Sequence, residues 1–103
     1  MLNQYDYINT KIIQWANDRN LIQGSDSFRQ FNKLEEESEE LLLGLMRDDL
    51  PEIADALGDM YVVMTVIAEM HGLDMMNCIE GAYDTIKHRK GKMQNGFFVK
   101  EAV

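Results

Sequence analysis

The sequence KLEEESEELLLGLMRDDLPEIADALGDMYVVM at residues 33–64 decides the fold, because it contains two helical patterns separated by a short turn. The turn is the tetrapeptide Asp-Asp-Leu-Pro at residues 48–51. Two helices joined by so short a connection must lie antiparallel. Acidic side chains in the middle of the first helix can therefore face acidic side chains near the start of the second.

The acids of this stretch form one cluster on each helix: Glu35, Glu36, Glu37, Glu39 and Glu40, then Glu52, Asp55 and Asp59. Glutamate-rich helices are usually solvated faces. The second helix departs from that pattern, because at about 100° per residue its acidic strip continues as an apolar strip. That apolar strip consists of Val62, Val63, Val66 and Met70. We therefore expect these acids to point into a bundle or into a cleft at its end.

Inward carboxylates repel one another and are costly to bury unpaired, so they must bind protons or cations. Oxygen ligands without histidine or cysteine favour hard ions such as Mg²⁺ or Mn²⁺. A di-iron carboxylate bundle would need Glu-x-x-His on two helices, and neither His71 nor His88 has a glutamate three positions earlier. Gly44 shares a strip with Glu37 and Glu40, which leaves room there for a ligand or a close helix crossing.

Helical periodicity in the rest of the chain predicts an all-α protein, a four-helix bundle forming a single domain over residues 1–103. The predicted helices span residues 5–20, 27–47, 50–71 and 73–90, with Asp48 or Asp49 capping the third and Gly72 ending it. The fourth helix is expected to bury Met75, Met76, Cys78, Ile79, Ala82, Tyr83 and Ile86. After it, an Asn-Gly turn signal precedes a short apolar run that we expect to dock on the bundle or on a neighbouring subunit.

Size and charge limit the partners. A chain of 103 residues has a thin core, so we expect a homodimer or homotetramer whose subunits complete one another. The net charge of -8 argues against nucleic-acid or anionic-membrane partners. A single cysteine excludes an internal disulfide, and the lack of a long apolar run or a signal-peptide core predicts a cytoplasmic protein. The basic segment with Lys87, Arg89, Lys90 and Lys92 can still bind a small polyanion.

The chain resembles the MazG-like all-α nucleoside triphosphate pyrophosphohydrolases, whose mark is Glu-Glu-x-x-Glu on one helix and Glu-x-x-Asp on the next. EESEE at residues 36–40 matches the first half, and Asp59 ends the second. The glutamate expected three residues before Asp59 is Ala56, so Asp55 or Glu52 would supply the missing ligand. RKGKM at residues 89–93 and GFFVK at 96–100 are similar to the endings of small bacterial and phage members.

This resemblance implies hydrolysis of a nucleoside or deoxynucleoside triphosphate to the monophosphate and pyrophosphate. It implies Mg²⁺, with Mn²⁺ as a substitute, held by Glu37, Glu40 and Asp59 together with Asp55 or Glu52. Either Glu36 or Glu37 would orient or deprotonate the attacking water. The candidate phosphate ligands are Lys33, Lys87, Arg89, Lys90 and Lys92.

Base recognition has weaker signals. Trp15 is a candidate for stacking on a base and Asn20 for lining the pocket, although a helix tryptophan is more often part of the core. Two other readings of the chain stay open. The first is a non-catalytic helical module that senses nucleotides or binds a partner, which the loss of a ligand at Ala56 would suit. The second is a structural bundle with a solvated acidic face.

Overall fold

Five helices followed by a two-stranded hairpin form this protein in a computed structural model that describes residues 3–101. The helices are α1 (Gln4–Asp18), α2 (Leu21–Gly24), α3 (Ser27–Met46), α4 (Leu50–Met70) and α5 (Met75–Ile86). The strands are β1 (Gly91–Gln94) and β2 (Phe97–Lys100). The predicted all-α class is confirmed, and none of the helices described combines the length and hydropathy needed to cross a bilayer.

The α3–α4 pair is the most closely packed part of the fold, and its ends follow from local sequence. Asp26 caps α3 by accepting a hydrogen bond from the Arg29 backbone N–H, and Asp49 caps α4 in the same way from Glu52 at 3.2 Å. Asp48 adopts a positive φ of 51° in the turn, and proline occupies the first turn of α4. Caps and turn residues thus reverse the chain within three residues.

Gly44 sets how closely the two helices approach. It is buried, and a Cβ atom there would lie 3.2 Å from the backbone nitrogen of Ile53 and 3.2 Å from Cγ of Glu52. Of the two roles predicted for this glycine, the structure shows the close helix crossing. Since Gly44 faces the start of α4, residues earlier on α3 face later positions on α4, as the antiparallel arrangement requires.

Helix α4 is the centre of a small core. The buried apolar residues are Ala16, Ala56, Val63, Val66 and Ala68. Helix α1 packs across α4, where the Tyr61 hydroxyl donates a 2.7 Å hydrogen bond to Oδ1 of the buried Asn9. The apolar half of the strip on α4 lies in this core, because Val63 and Val66 are buried. The prediction that its acids point inward is met only in part, since Glu52 and Asp59 are half-buried and Asp55 is exposed.

The predicted end of the fourth helix is wrong, because α5 ends at Ile86 and residues 91–100 form an antiparallel hairpin. Asn95 and Gly96 have positive φ values of 52° and 84°, the conformation that a two-residue hairpin turn needs. The apolar run pairs with the strand before it, Met93 opposite Phe98. Neither strand lies against any helix described here, so docking on the bundle does not occur within the chain.

The burial expected for the fourth helix is also wrong within one chain. Met75 and Met76 are half-buried, whereas the other five positions, Cys78 included, are exposed. The physical reason is that α5 touches α4 and α1 only along a short edge. Its apolar face therefore has nothing from the described chain to cover it.

Candidate metal centre between the two long helices

Three carboxylates meet where α3 crosses α4, and we call them the acidic cluster: Glu37 and Glu40 from α3 and Asp59 from α4. One oxygen from each lies within 4.8 Å of the others. The three-residue spacing places Glu37 and Glu40 on one face of α3, and the antiparallel crossing brings Asp59 opposite that face. Glu37 is buried, Asp59 is half-buried and Glu40 is exposed, so the cluster opens to solvent on one side.

Glu37 is the unusual member, because its side chain is 6% exposed. One of its oxygens, Oε1, lies 3.3 Å from the ammonium of Lys33. The other, Oε2, is buried and has no hydrogen-bond partner among the described residues. A buried carboxylate oxygen without a partner is costly, and a bound cation would remove that cost.

The charges around Asp59 also favour a bound cation. Burial, and then the negative charges of Asp55 and Glu37, raise the pKa of Asp59, while Lys33 acts against them. Hydrogen bonds to Glu37 and Glu36 raise the pKa of Lys33. The cluster thus contains more negative charge than its one lysine offsets. An all-carboxylate donor set with a buried, unsatisfied oxygen fits a hard divalent cation.

The two candidates for the missing motif glutamate occupy different places. Asp55 is exposed, but its charge acts on Asp59, so it lies near the cluster. Glu52 lies beside Gly44, nearer the turn. Ala56 itself is fully buried. Neither Asp55 nor Glu52 belongs to the three-carboxylate cluster found in residues 3–101.

Glu36, the second candidate for activating water, lies at the edge of the site. Its side chain is 67% exposed, and Oε2 lies 3.4 Å from the Lys33 ammonium. Lys33 therefore bridges both candidate glutamates, one exposed and one buried.

An open pocket of about 480 Å³ adjoins the cluster, since Asp59 forms part of its wall. The rest of the wall consists of Ile8, Lys11, Ile12, Trp15 and Val62. Trp15 is 42% exposed and has the Arg19 guanidinium 4.8 Å from its ring centroid, so it is not a core residue. The sequence analysis did not identify Lys11 as a residue of this pocket, although its position one turn before Trp15 on α1 places it on the same helix face.

Asn20 does not line this pocket. It adopts a left-handed conformation with φ of 58° at the start of α2, and its amide lies beside Gly24. Its visible role is to turn the chain between α1 and α2.

The basic residues near the C-terminus lie on a separate part of the molecule. Lys87 forms an ion pair with Asp84 at 2.9 Å, and Arg89 follows the end of α5. Lys90 and Lys92 line an open pocket of about 510 Å³ together with Lys100. Lys100 was missed from the sequence, but the Asn-Gly turn fixes the register that places it opposite Gly91.

Comparison with known proteins finds one family match that covers most of the chain. The family model described as phosphoribosyl-ATP pyrophosphohydrolase matches residues 18–85, which include α3 and α4. The chain is also 43% identical over 63 residues to an uncharacterised 18.2 kDa protein from the rep-hol intergenic region of Haemophilus phage HP1 (strain HP1c1). That match covers 61% of this chain and 39% of the phage protein. No solved structure matches the chain significantly.

Proposed function

The chain belongs to the phosphoribosyl-ATP pyrophosphohydrolase family, and from this premise we propose that it is a Mg²⁺-dependent nucleoside triphosphate pyrophosphohydrolase. The family belongs to the same all-α pyrophosphohydrolase superfamily as the MazG proteins, and it indicates a hydrolase of the pyrophosphohydrolase type. The specific substrate that we propose is a nucleoside or deoxynucleoside triphosphate, cut between its α and β phosphates in the cytoplasm.

One observation supports this proposal most directly: Glu37 has a buried, unpartnered oxygen beside Glu40 and Asp59. These three residues would hold Mg²⁺, or Mn²⁺ in its place. Asp55 is the better candidate for a fourth ligand than Glu52, because its charge already acts on Asp59. When bound, the ion would supply positive charge to phosphate oxygens and stabilise the charge that develops during displacement.

The reaction adds the oxygen of water to one of the two phosphorus atoms that flank the α–β bridging oxygen. The bond between that phosphorus and the bridging oxygen breaks, which releases the monophosphate and pyrophosphate. Glu36 or Glu37 accepts the proton that water loses. Lys33 orients both glutamates through its contacts at 3.4 and 3.3 Å, and its ammonium can also bind a phosphate oxygen.

The pocket beside Asp59 is the proposed place for the base. Its wall is mostly apolar, and the exposed indole of Trp15 offers a surface for stacking. Because Asp59 belongs to both the pocket and the acidic cluster, a nucleotide with its base there would place its phosphates towards the carboxylates. Asn20 would act on this pocket only indirectly, by fixing the end of α1.

We also propose that the working form is a homodimer or homotetramer. The uncovered apolar face of α5, with Tyr83 and Ile86 exposed, supports this, because monomers rarely leave large contiguous apolar patches in water.

A substrate panel tests the function. The protein is incubated with Mg²⁺ and each common NTP and dNTP, and with phosphoribosyl-ATP, and released pyrophosphate is measured. We expect turnover of at least one triphosphate, lost in Glu40→Gln and in Asp59→Asn. Glu39→Gln is the matched control, because Glu39 is an exposed neighbour outside the cluster. Equal activity in all three variants would contradict the proposal.

A non-catalytic nucleotide-sensing or partner-binding module of the same fold is the second candidate. Ala56 favours it, since a fully buried alanine stands where the motif has a glutamate. Tight nucleotide binding without pyrophosphate release, measured by calorimetry beside the substrate panel, would support this alternative.

A further inference from the structure

We propose that the three lysines at the base of the hairpin, Lys90, Lys92 and Lys100, complete the acidic cluster of a second copy of this chain. There they would bind the triphosphate that the cluster's metal holds, a role that rests on the proposed function. The site would then be composite, with carboxylates from one subunit and lysines from its partner. We call the segment at residues 87–101 the basic arm.

The hairpin itself gathers the three lysines. Gly91 pairs with Lys100 and Lys92 with Val99, so Lys92 and Lys100 belong to neighbouring pairs whose side chains leave opposite faces of the hairpin. Both residues line one open pocket at the base of the hairpin, together with Lys90 and Glu101. A Cβ atom at Gly91 would collide with the carbonyl of Val99 and the ring of Phe98. Glycine therefore lets the base of the hairpin close tightly. Within residues 3–101 none of the three lysines forms an ion pair.

Apart from the ion pair between Lys87 and Asp84, the arm has no acidic partner within residues 3–101 of its own chain. Neither β1 nor β2 lies against a described helix, and Lys33 is the cation that acts on Asp59. Most of the positive charge that could balance a triphosphate is therefore on a segment whose strands do not touch the helices that carry the acidic cluster of the same chain.

The charges of the two segments are complementary. Residues 33–59 contain ten carboxylates and two cations, whereas the basic arm contains five cations and one carboxylate, Glu101. In a protein with a net charge of -8, an arm of this kind is attracted to the acidic face of another copy.

The arm also has apolar side chains that a partner would cover. Phe97 is 75% exposed, and Met93 and Phe98 are more than half exposed. An exposed hairpin with aromatic residues on both faces is unfavourable in water. In a symmetric pair of copies, each basic arm would contact the acidic face of the other copy. This two-fold arrangement is closed and would bury both arms at once.

Subunit complementation tests the proposal with full-length chains. One chain carries Glu40→Gln and Asp59→Asn, and the other carries Lys90→Ala, Lys92→Ala and Lys100→Ala. Each variant chain by itself is expected to release pyrophosphate at less than about one hundredth of the wild-type rate. In a mixture co-expressed at equal amounts, random pairing gives half heterodimers, each with one intact site, and activity of about 25% of wild type.

Two results would overturn the proposal: activity in the mixture no higher than the sum of the separate chains, or full activity of the triple lysine variant alone. Arg29→Gln with Arg47→Gln is the charge control, because it removes two cations outside the arm and is expected to keep activity within about twofold.

A second measurement does not depend on catalysis, so it separates this proposal from the proposed function. Unlabelled and ¹⁵N-labelled chains are mixed and treated with a carbodiimide, which joins carboxylates to amines. We expect cross-links from Lys90, Lys92 or Lys100 to acids of α3 and α4 in which one peptide is labelled and the other is not. Cross-links found only between peptides of the same label, or none from these lysines, would overturn the composite site even if the enzyme is active.

Discussion

The α3–α4 pair and the segment from α5 to the hairpin differ in how completely each is folded against its surroundings. In the first, Gly44 allows close contact, both helix starts are capped, and a carboxylate is buried against a lysine. In the second, aromatic and apolar side chains remain exposed and the hairpin touches no helix within residues 3–101. The first region forms its helix crossing and its acidic cluster within one chain, although it too exposes large apolar side chains such as Phe28, Met46 and Leu50. The second region has a hairpin with no described helix against it.

This difference separates two kinds of candidate functional residue, the carboxylates of the acidic cluster and the lysines of the basic arm. Carboxylates must be held in fixed positions before they can bind a metal ion, and a closely packed helix pair provides that rigidity. Phosphate-binding lysines act over longer distances and can arrive from a flexible arm. Substitutions in the acidic cluster of the α3–α4 pair should therefore remove catalysis, whereas substitutions of lysines in the basic arm should weaken substrate binding.

The largest effect is expected on the packed pair. Glu37→Gln removes the buried charge of the acidic cluster, and we expect kcat/KM to fall about 1,000-fold, close to 4 kcal/mol of transition-state stabilisation. Lys92→Ala on the arm should raise KM about tenfold and change kcat much less. Steady-state kinetics at saturating Mg²⁺ measure both. A similar fall in kcat for the two variants would contradict the division of roles.

The next effect concerns stability at the helix crossing. Gly44→Val pushes a side chain against Ile53 and Glu52, and we expect the free energy of unfolding to fall by about 1–3 kcal/mol. Gly58→Ala is the control on α4, because no atom of the part of the chain that the structure describes lies within 4 Å of a Cβ atom there, outside its neighbours and its own helix backbone. That change should leave stability equal or raise it by up to about 1 kcal/mol. Urea unfolding at one fixed protein concentration compares them, and a stable Gly44→Val protein would refute the close crossing.

A smaller effect is expected where α1 meets α4. Tyr61→Phe removes the hydrogen bond to Asn9, whose Nδ2 already lacks a partner in the described chain. A buried amide with both polar atoms unsatisfied should cost about 1–2 kcal/mol of stability. Tyr5→Phe on α1 is the matched control, since Tyr5 is exposed. Equal unfolding midpoints for the two variants would show that the bond contributes nothing.

The smallest expected effect is an increase in stability, not a decrease. Asp59→Asn should stabilise the metal-free protein at neutral pH, by up to about 1 kcal/mol, because it removes repulsion from Asp55 and Glu37. Since the folded pKa of Asp59 is raised, the wild type is relatively most stable when Asp59 is protonated and loses that advantage as the pH rises through the raised pKa. The advantage of the variant should therefore shrink on acidification. A variant less stable than wild type without metal would contradict the repulsion.

Sequence reasoning located the packed region well. The bounds of α4 followed from local signals, which are Asp48 or Asp49 before it and Gly72 after it. The short turn and helical spacing predicted that acids of the two helices face each other, because antiparallel helices leave few ways to pair. The choice of Glu37, Glu40 and Asp59 among those acids came from the resemblance to the MazG-like family.

The segment from α5 to the hairpin was predicted less well, for a physical reason. Helical spacing marks the apolar face of α5 but does not say what covers it, and in one chain nothing described does. The Asn-Gly turn was recognised, yet its strands were not, since four-residue strands have too few residues to show alternation. Because the strands were not predicted, Lys100 was not identified as a neighbour of Lys90 and Lys92.

The most direct test of the central claim is a crystal of the protein soaked with Mn²⁺, with anomalous scattering measured at the manganese edge. We predict a peak bounded by oxygens of Glu37, Glu40 and Asp59, and loss of that peak in Glu37→Gln crystals grown the same way. No peak at the cluster, with the three carboxylates turned apart towards solvent, would contradict it.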